Sequence, residues 1–201
     1  MKKNSTLLAA GAIVTAICAV GSSASAEPVG LQWPQPGGAG SDVFITYSYS
    51  NLLDGGFLLV SPSELRTATE EALRLWGTYA PLHFIEELDS GPAASDEPYD
   101  AAGHPLIRIG HHTSSDLAHA FYPGSSGLSG DVHVDSGIPW TLGQGHWNFL
   151  EAITHELGHA LGLGHELDEI AIMNPFYPQQ RFTTLGTAFL FPADIAALQQ
   201  I

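Results

Sequence analysis

Residues 155–165 read HELGHALGLGH. On a helix, His155 and His159 stand one turn apart and project from the same face. Two imidazoles at that spacing can grip one metal ion from one side, and Glu156 beside them can reach a metal-bound water. Gly162 lets the helix stop and the chain turn, because glycine accepts the dihedrals this requires. The turn brings His165 round as a third ligand. Three neutral nitrogens with one open position make a catalytic zinc arrangement, whereas a structural site closes with four protein ligands. The pattern H-E-x-x-H-x-x-G-x-x-H fixes five positions, so histidines that merely pack or cap are a poor account of it.

A helix must carry the first two ligands. Asn148 is placed to start it, with Glu151 three residues on as a capping partner. Phe149, Ile153, Leu157, Ala160 and Leu161 form its apolar face. An earlier helix begins at Ser61, where Pro62 takes the first helical position and Glu64 completes a capping box. Leu65, Ala68, Ala72, Leu75, Trp76 and Tyr79 recur along it at helical spacing, and Pro81 ends it. A last helix starts near Pro192. Strands are read at Asp42–Ser50, Leu82–Glu87, Leu106–Ile109, Leu117–Tyr122 and Val132–Val134. The acidic, Gly- and Pro-bearing stretch Asp89–Gly103 reads as a loop. The order strand, helix, strands, helix, helix suits one sheet covered by helices, an α/β architecture.

Residues 1–26 read as a secretory signal peptide: Lys2 and Lys3, an apolar run from Leu7 to Val20, and the small-residue site Ala24-Ser25-Ala26. Ile17 before Cys18 argues against a lipoprotein anchor. Residues 27–41 are a Pro- and Gly-rich arm, and 42–201 form one domain. Beyond Ala26 four arginines and no lysine face 21 acidic residues, a net charge of −17. That balance excludes nucleic-acid binding through phosphate contacts. No cysteine follows Cys18, so stability in an oxidising compartment must come from packing and metals rather than disulfides. No membrane anchor is read in the mature chain, and a monomer is expected.

Ala171-Ile172-Met173-Asn174-Pro175, following the histidine motif, resembles the Met-turn of the metzincins. Asp168, Ala171, Met173, Pro175 and Tyr177 are similar to the matrixin pattern in particular. So are Leu117-Ala118-His119-Ala120-Phe121, Pro123-Gly124, Gly130-Asp131-Val132-His133-Val134-Asp135 and Trp140-Thr141. The resemblance implies a twisted, mostly parallel sheet with three helices and a zinc cleft between upper and lower subdomains. It implies a secreted zinc endopeptidase acting on protein or peptide substrates, with Glu156 as general base and Met173 as the floor under the zinc. The strand bearing Leu117, Ala118 and Ala120 would be the edge along which substrate lies. Pro175, Phe176 and Tyr177 would wall the pocket for the residue after the scissile bond. The loop from Pro178 to Phe191 adds five apolar residues (Phe182, Leu185, Phe189, Leu190, Phe191) and the single charge Arg181, so an apolar preference follows.

The family also implies a second, structural zinc held by three histidines and an aspartate. His119 and His133 match two of those ligands. One of His111 and His112 stands for the third, with His112 preferred, and Asp116 is the candidate fourth ligand at an altered spacing. Calcium is poorly supported, because Asp135 matches one ligand position but Ile138, at its partner position, cannot coordinate a hard cation. No cysteine in 27–41 corresponds to the family's zinc-capping propeptide thiol, so any latency is expected not to use one. The competing reading is a non-catalytic secreted zinc-binding or adhesion module on the same fold. It would be favoured by loss of Glu156 or a ligand, and all four residues are present.

Overall fold

The computed structural model describes residues 28–143, 147–167, 170–176 and 181–201. The signal-peptide reading at 1–26, together with Asp168, Tyr177 and Pro178, lies outside the described residues. One five-stranded sheet runs in the order β2-β1-β3-β5-β4, with β1 Val43–Tyr49, β2 Leu82–Glu86, β3 Ile107–His112, β4 Ala118–Ala120 and β5 Val132–Asp135. All neighbours are parallel except β4, which runs antiparallel to β5. Two long helices, α1 Pro62–Gly77 and α2 Phe149–Leu161, and the short α3 Pro192–Leu198 complete the α/β fold.

Local chemistry accounts for the elements. β1 alternates as a half-buried strand should, with Val43, Ile45 and Tyr47 inside and Phe44 outside. α1 opens with the expected capping box between Ser61 and Glu64, and Pro62 follows directly. It stops at Gly77, before Pro81. α2 is buried along its whole length, packed against α1 and against β4 and β5 of the sheet. Trp76 of α1 donates its indole N–H to Thr154 O at 3.0 Å, fixing how the two helices cross.

Two expectations are revised. Asn148 does cap α2, its side chain accepting from the Glu151 amide, but Glu151 does not reach back to close a capping box. Its carboxylate turns inward and accepts from Arg181 N at 2.8 Å. And β3 runs on to His112 instead of ending at Ile109, because Gly110, His111 and His112 continue the parallel pairing with His133, Val134 and Asp135 of β5. His112 is therefore a strand residue, not a loop residue.

The arm before β1 is docked. Val29 N donates to Gly162 O at 3.0 Å, and Trp33 donates its indole N–H to Ala160 O at 3.0 Å. Gly162 has φ 109°, and a Cβ there would strike Leu31 O. Glycine is thus required twice at this turn, by dihedral and by close approach.

Candidate metal centres

α2 and the turn after it bring His155, His159 and His165 together, with one ligand nitrogen from each within 4.8 Å of the others. The outer nitrogens are already committed. His155 Nδ1 donates to Ile172 O and His159 Nδ1 donates to Leu163 O, both at 2.7 Å. Each bond fixes the tautomer that leaves a lone pair on Nε2. His155 Nε2 is buried without a partner, and His159 Nε2 lies 3.1 Å from His165 Nε2. Burial holds His155 and His159 far below the ordinary imidazole range, His155 at about 3, and it lowers His165 as well. Three neutral nitrogens with converging lone pairs fit a cation and repel one another without it.

Glu156 is fully buried, and neither carboxylate oxygen has a hydrogen-bond partner. Burial pushes its pKa up to about 8, and the nearby Asp116 charge adds to the rise. Beneath the histidines, Met173 packs so tightly on Gly158 that a Cβ at Gly158 would collide with its sulfur. The Met-turn is held from below by Asp194 of α3, which accepts Ile172 N at 2.9 Å and Met173 N at 3.0 Å. Sequence reading missed Asp194. Its signal was its place in the first turn of a helix opening on Pro192, where a carboxylate accepts amides.

A second group consists of His112, His119, His133 and Asp96. His133 Nδ1 lies 3.2 Å from both His112 Nε2 and His119 Nε2. Asp96 Oδ1 is 3.0 Å from His119 Nε2 and 3.4 Å from both His112 Nε2 and His133 Nδ1. Burial, then the two neighbouring imidazoles, depresses His133 to about 3. Burial alone would raise the Asp96 carboxyl, but the hydrogen bond from His119 and the surrounding rings hold it low.

Asp116 is thus displaced as the fourth member of this group. It sits just before β4, its amide bonded to Ser114 Oγ, and its charge faces Glu156. The carboxylate comes instead from the loop between β2 and β3. Arg108, 3% exposed, pins that loop by donating to Asp89 Oδ2 at 2.8 Å and to Pro92 O at 2.6 Å. Asn51 accepts the amide of Ala94, two residues before Asp96. Of the paired histidines, His112 joins the group, while His111 turns away to Asp54 at 2.9 Å. Asp135 belongs to neither group and accepts Gly137 N.

β4 is the sheet's edge, and its side chains at Ala118, His119 and Ala120 are buried. Leu117 is buried just before it. Pro175 is buried and Phe176 is 60% exposed. Phe182 and Leu190 turn into the core rather than toward a cleft, and the Arg181 guanidinium is drawn to within 3.5 Å of Glu151.

The Matrixin family profile matches residues 43–201. Human matrix metalloproteinase-16 is 41% identical over 149 residues, 66% of this chain and 23% of that protein. Human matrix metalloproteinase-20 is 38% identical over 118 residues, 59% of this chain and 24% of that protein. Human matrilysin is 40% identical over 118 residues, 53% of this chain and 40% of that protein. The aligned parts are thus less than half of each relative's length. With the profile spanning the sheet, the three helices and both histidine groups, the chain belongs to the matrixin family.

Proposed function

We propose that the chain is a secreted zinc-dependent endopeptidase. The observation that carries this reading is the pairing of three converging imidazoles, His155 and His159 buried and His165 half-buried, with a buried carboxylate whose oxygens are both unengaged. The relatives are metalloproteinases by name, in keeping with it. Secretion rests on the signal-like residues 1–26.

His155, His159 and His165 would hold the zinc. When bound, it supplies the Lewis acidity that polarises a peptide carbonyl and acidifies water. Glu156 takes the proton from the attacking water and delivers it to the departing amine nitrogen. Both of its oxygens are free of other hydrogen-bond partners and so are available for that transfer. The Nδ1–H bonds to Ile172 and Leu163 keep two rings aimed, and Asp194 keeps Met173 beneath them. The outer edge of β4 offers backbone groups to an extended substrate, which would add as a strand. Pro175 and Phe176, followed by Tyr177, would wall the pocket for an apolar residue after the scissile bond. The Arg181 charge is met by Glu151 and does not offer itself to an acidic side chain.

His112, His119, His133 and Asp96 would hold a second zinc. Four protein ligands leave no open position, so its role is structural.

The test is casein hydrolysis by the purified protein. Cleavage should occur, stop with a chelator and return on adding zinc. Folded, zinc-loaded protein that leaves casein intact would defeat the reading.

A further inference from the structure

β4 forms one edge of the sheet and β2 the other. β2 pairs with β1, and no strand meets its outer side among the described residues. Val43 N donates to Pro81 O and Glu87 N donates to Tyr47 O, so residues 81, 83, 85 and 87 turn their backbone groups toward β1. Leu82, Phe84 and Glu86 therefore turn theirs outward. The Leu82 amide is used within its own turn, on Ala80 O at 2.7 Å. The Leu82 carbonyl and the backbone groups of Phe84 and Glu86 stay open along the edge.

An open edge is usually blunted by proline, lysine or a bulge. β2 reads LHFIE, without proline or lysine, and its register with β1 is unbroken. The surface on both sides of it is apolar instead. On the outer face Phe44 is 62% exposed and Ile85 44% exposed, with the His83 ring stacked on Phe44 at 4.8 Å. On the helix face a groove of about 440 Å³ lies between β2 and α1, lined by Tyr47, Leu73, Leu82 and Phe84 with the exposed Glu70 and Arg74.

The edge is complementary to itself. Two copies of β2 set antiparallel about Phe84 exchange both N–H···O bonds between their Phe84 residues, and each Glu86 amide reaches the Leu82 carbonyl of the other copy. In that register the Phe84 rings meet where the two grooves join, and Ile85 faces His83 of the other copy. Glu86 arrives opposite Leu82, which lines the groove together with Arg74. The charges fit this arrangement. Of the four arginines beyond residue 26, Arg66, Arg108 and Arg181 stand in ion pairs with Glu86, Asp89 and Glu151. Arg74 has no ion pair among the described residues, and an incoming Glu86 would supply one. A basic strand would find less to neutralise here, because Glu70 and Glu86 already hold Arg66.

We propose that the chain forms a two-fold dimer through the outer edge of β2, its partner being a second copy of this chain, in place of the monomer expected from the sequence. The two sheets become one, with the histidine groups toward its far ends. This does not rest on the peptidase reading, because the contact lies at the edge opposite β4.

The test is sedimentation of the zinc-loaded full chain over a concentration series from about 1 to 200 µM. The mass should pass from one chain to two, and amide exchange at Phe84 and Glu86 should slow as it does. Phe84→Pro removes an outward N–H and no bond to β1. Arg74→Glu sets a like charge against Glu86 of the other copy. Each should raise the dimer dissociation constant at least ten-fold. If Phe84→Pro fails to fold, Arg74→Glu, at an exposed helix position, decides alone. A parent that stays a single chain throughout would overturn the proposal, and its binding of a synthetic lysine-rich strand peptide would give the edge to another partner. A dimer that both variants leave intact would also overturn it, by placing the interface elsewhere.

Discussion

The two histidine groups differ in how they are assembled and in what they can do. His155, His159 and His165 come from eleven consecutive residues, on one helix and its turn. His112, His119, His133 and Asp96 come from three strands and a loop, spread over 38 positions. The first group has three nitrogens, no carboxylate ligand, and an unengaged buried carboxylate beside it. The second has a carboxylate among its four members. An incomplete shell with a base alongside is built for reaction, and a complete shell is built to tie elements together.

That contrast is easiest to break at Glu156. Glu156→Ala removes the base and no ligand, so casein turnover should fall on the order of 10³-fold. A variant that digests casein at near the parent rate would take the proton-transfer role away from Glu156.

A smaller effect is expected at the second group, on stability rather than chemistry. Asp96→Ala removes the one member of that group that the β2–β3 loop contributes. In zinc-containing buffer it should cost about 2–3 kcal/mol, or roughly 5–10 °C in Tm for a domain of this size. Asp116→Ala, at the displaced position, should leave Tm within about 1–2 °C of the parent. The reverse ranking would restore Asp116 to the ligand set.

Acid should sharpen the likeness between the groups. Folded-state pKa values of His155, His159 and His133 are depressed by burial, the first and last to about 3. A depressed pKa contributes stability that is present above the unfolded value near 6.5 and lost as pH falls toward the folded one. Metal-free protein should therefore lose stability progressively between about pH 6.5 and pH 3. Thermal melts in chelator across that window would show it, and a flat profile would contradict the buried, neutral assignment.

The smallest effect belongs to Asp116→Asn. The Asp116 charge raises Glu156, so neutralising it should lower the Glu156 pKa. The acid limb of kcat/KM then moves to lower pH, by a few tenths of a unit, because the base stays ionised further into acid. A shift to higher pH would be the wrong sign.

The same contrast explains what could be read from the sequence. The group proposed as catalytic is local, and helical periodicity alone puts His155 beside His159, with Gly162 marking the turn. Asp96 is invisible to such reasoning. It lies in a loop whose course depends on the buried Arg108–Asp89 pair and on Asn51, none of them neighbours in sequence. Asp116 is the nearer carboxylate to His119 along the chain, yet it is Asp96 that stands with the three histidines. Glu151 misled in the other way. Its spacing from Asn148 satisfied a capping rule, but its carboxylate found the Arg181 amide, 30 residues away, instead. The strands were legible by alternation, yet the end of β3 depended on pairing with β5, which local pattern does not encode.

Two groups built this way should each bind one zinc ion independently of the other. Zinc per chain, measured on the purified parent, on His159→Ala and on Asp96→Ala, should be about two, one and one, from one zinc at each site. A parent holding a single zinc that Asp96→Ala leaves in place would contradict it.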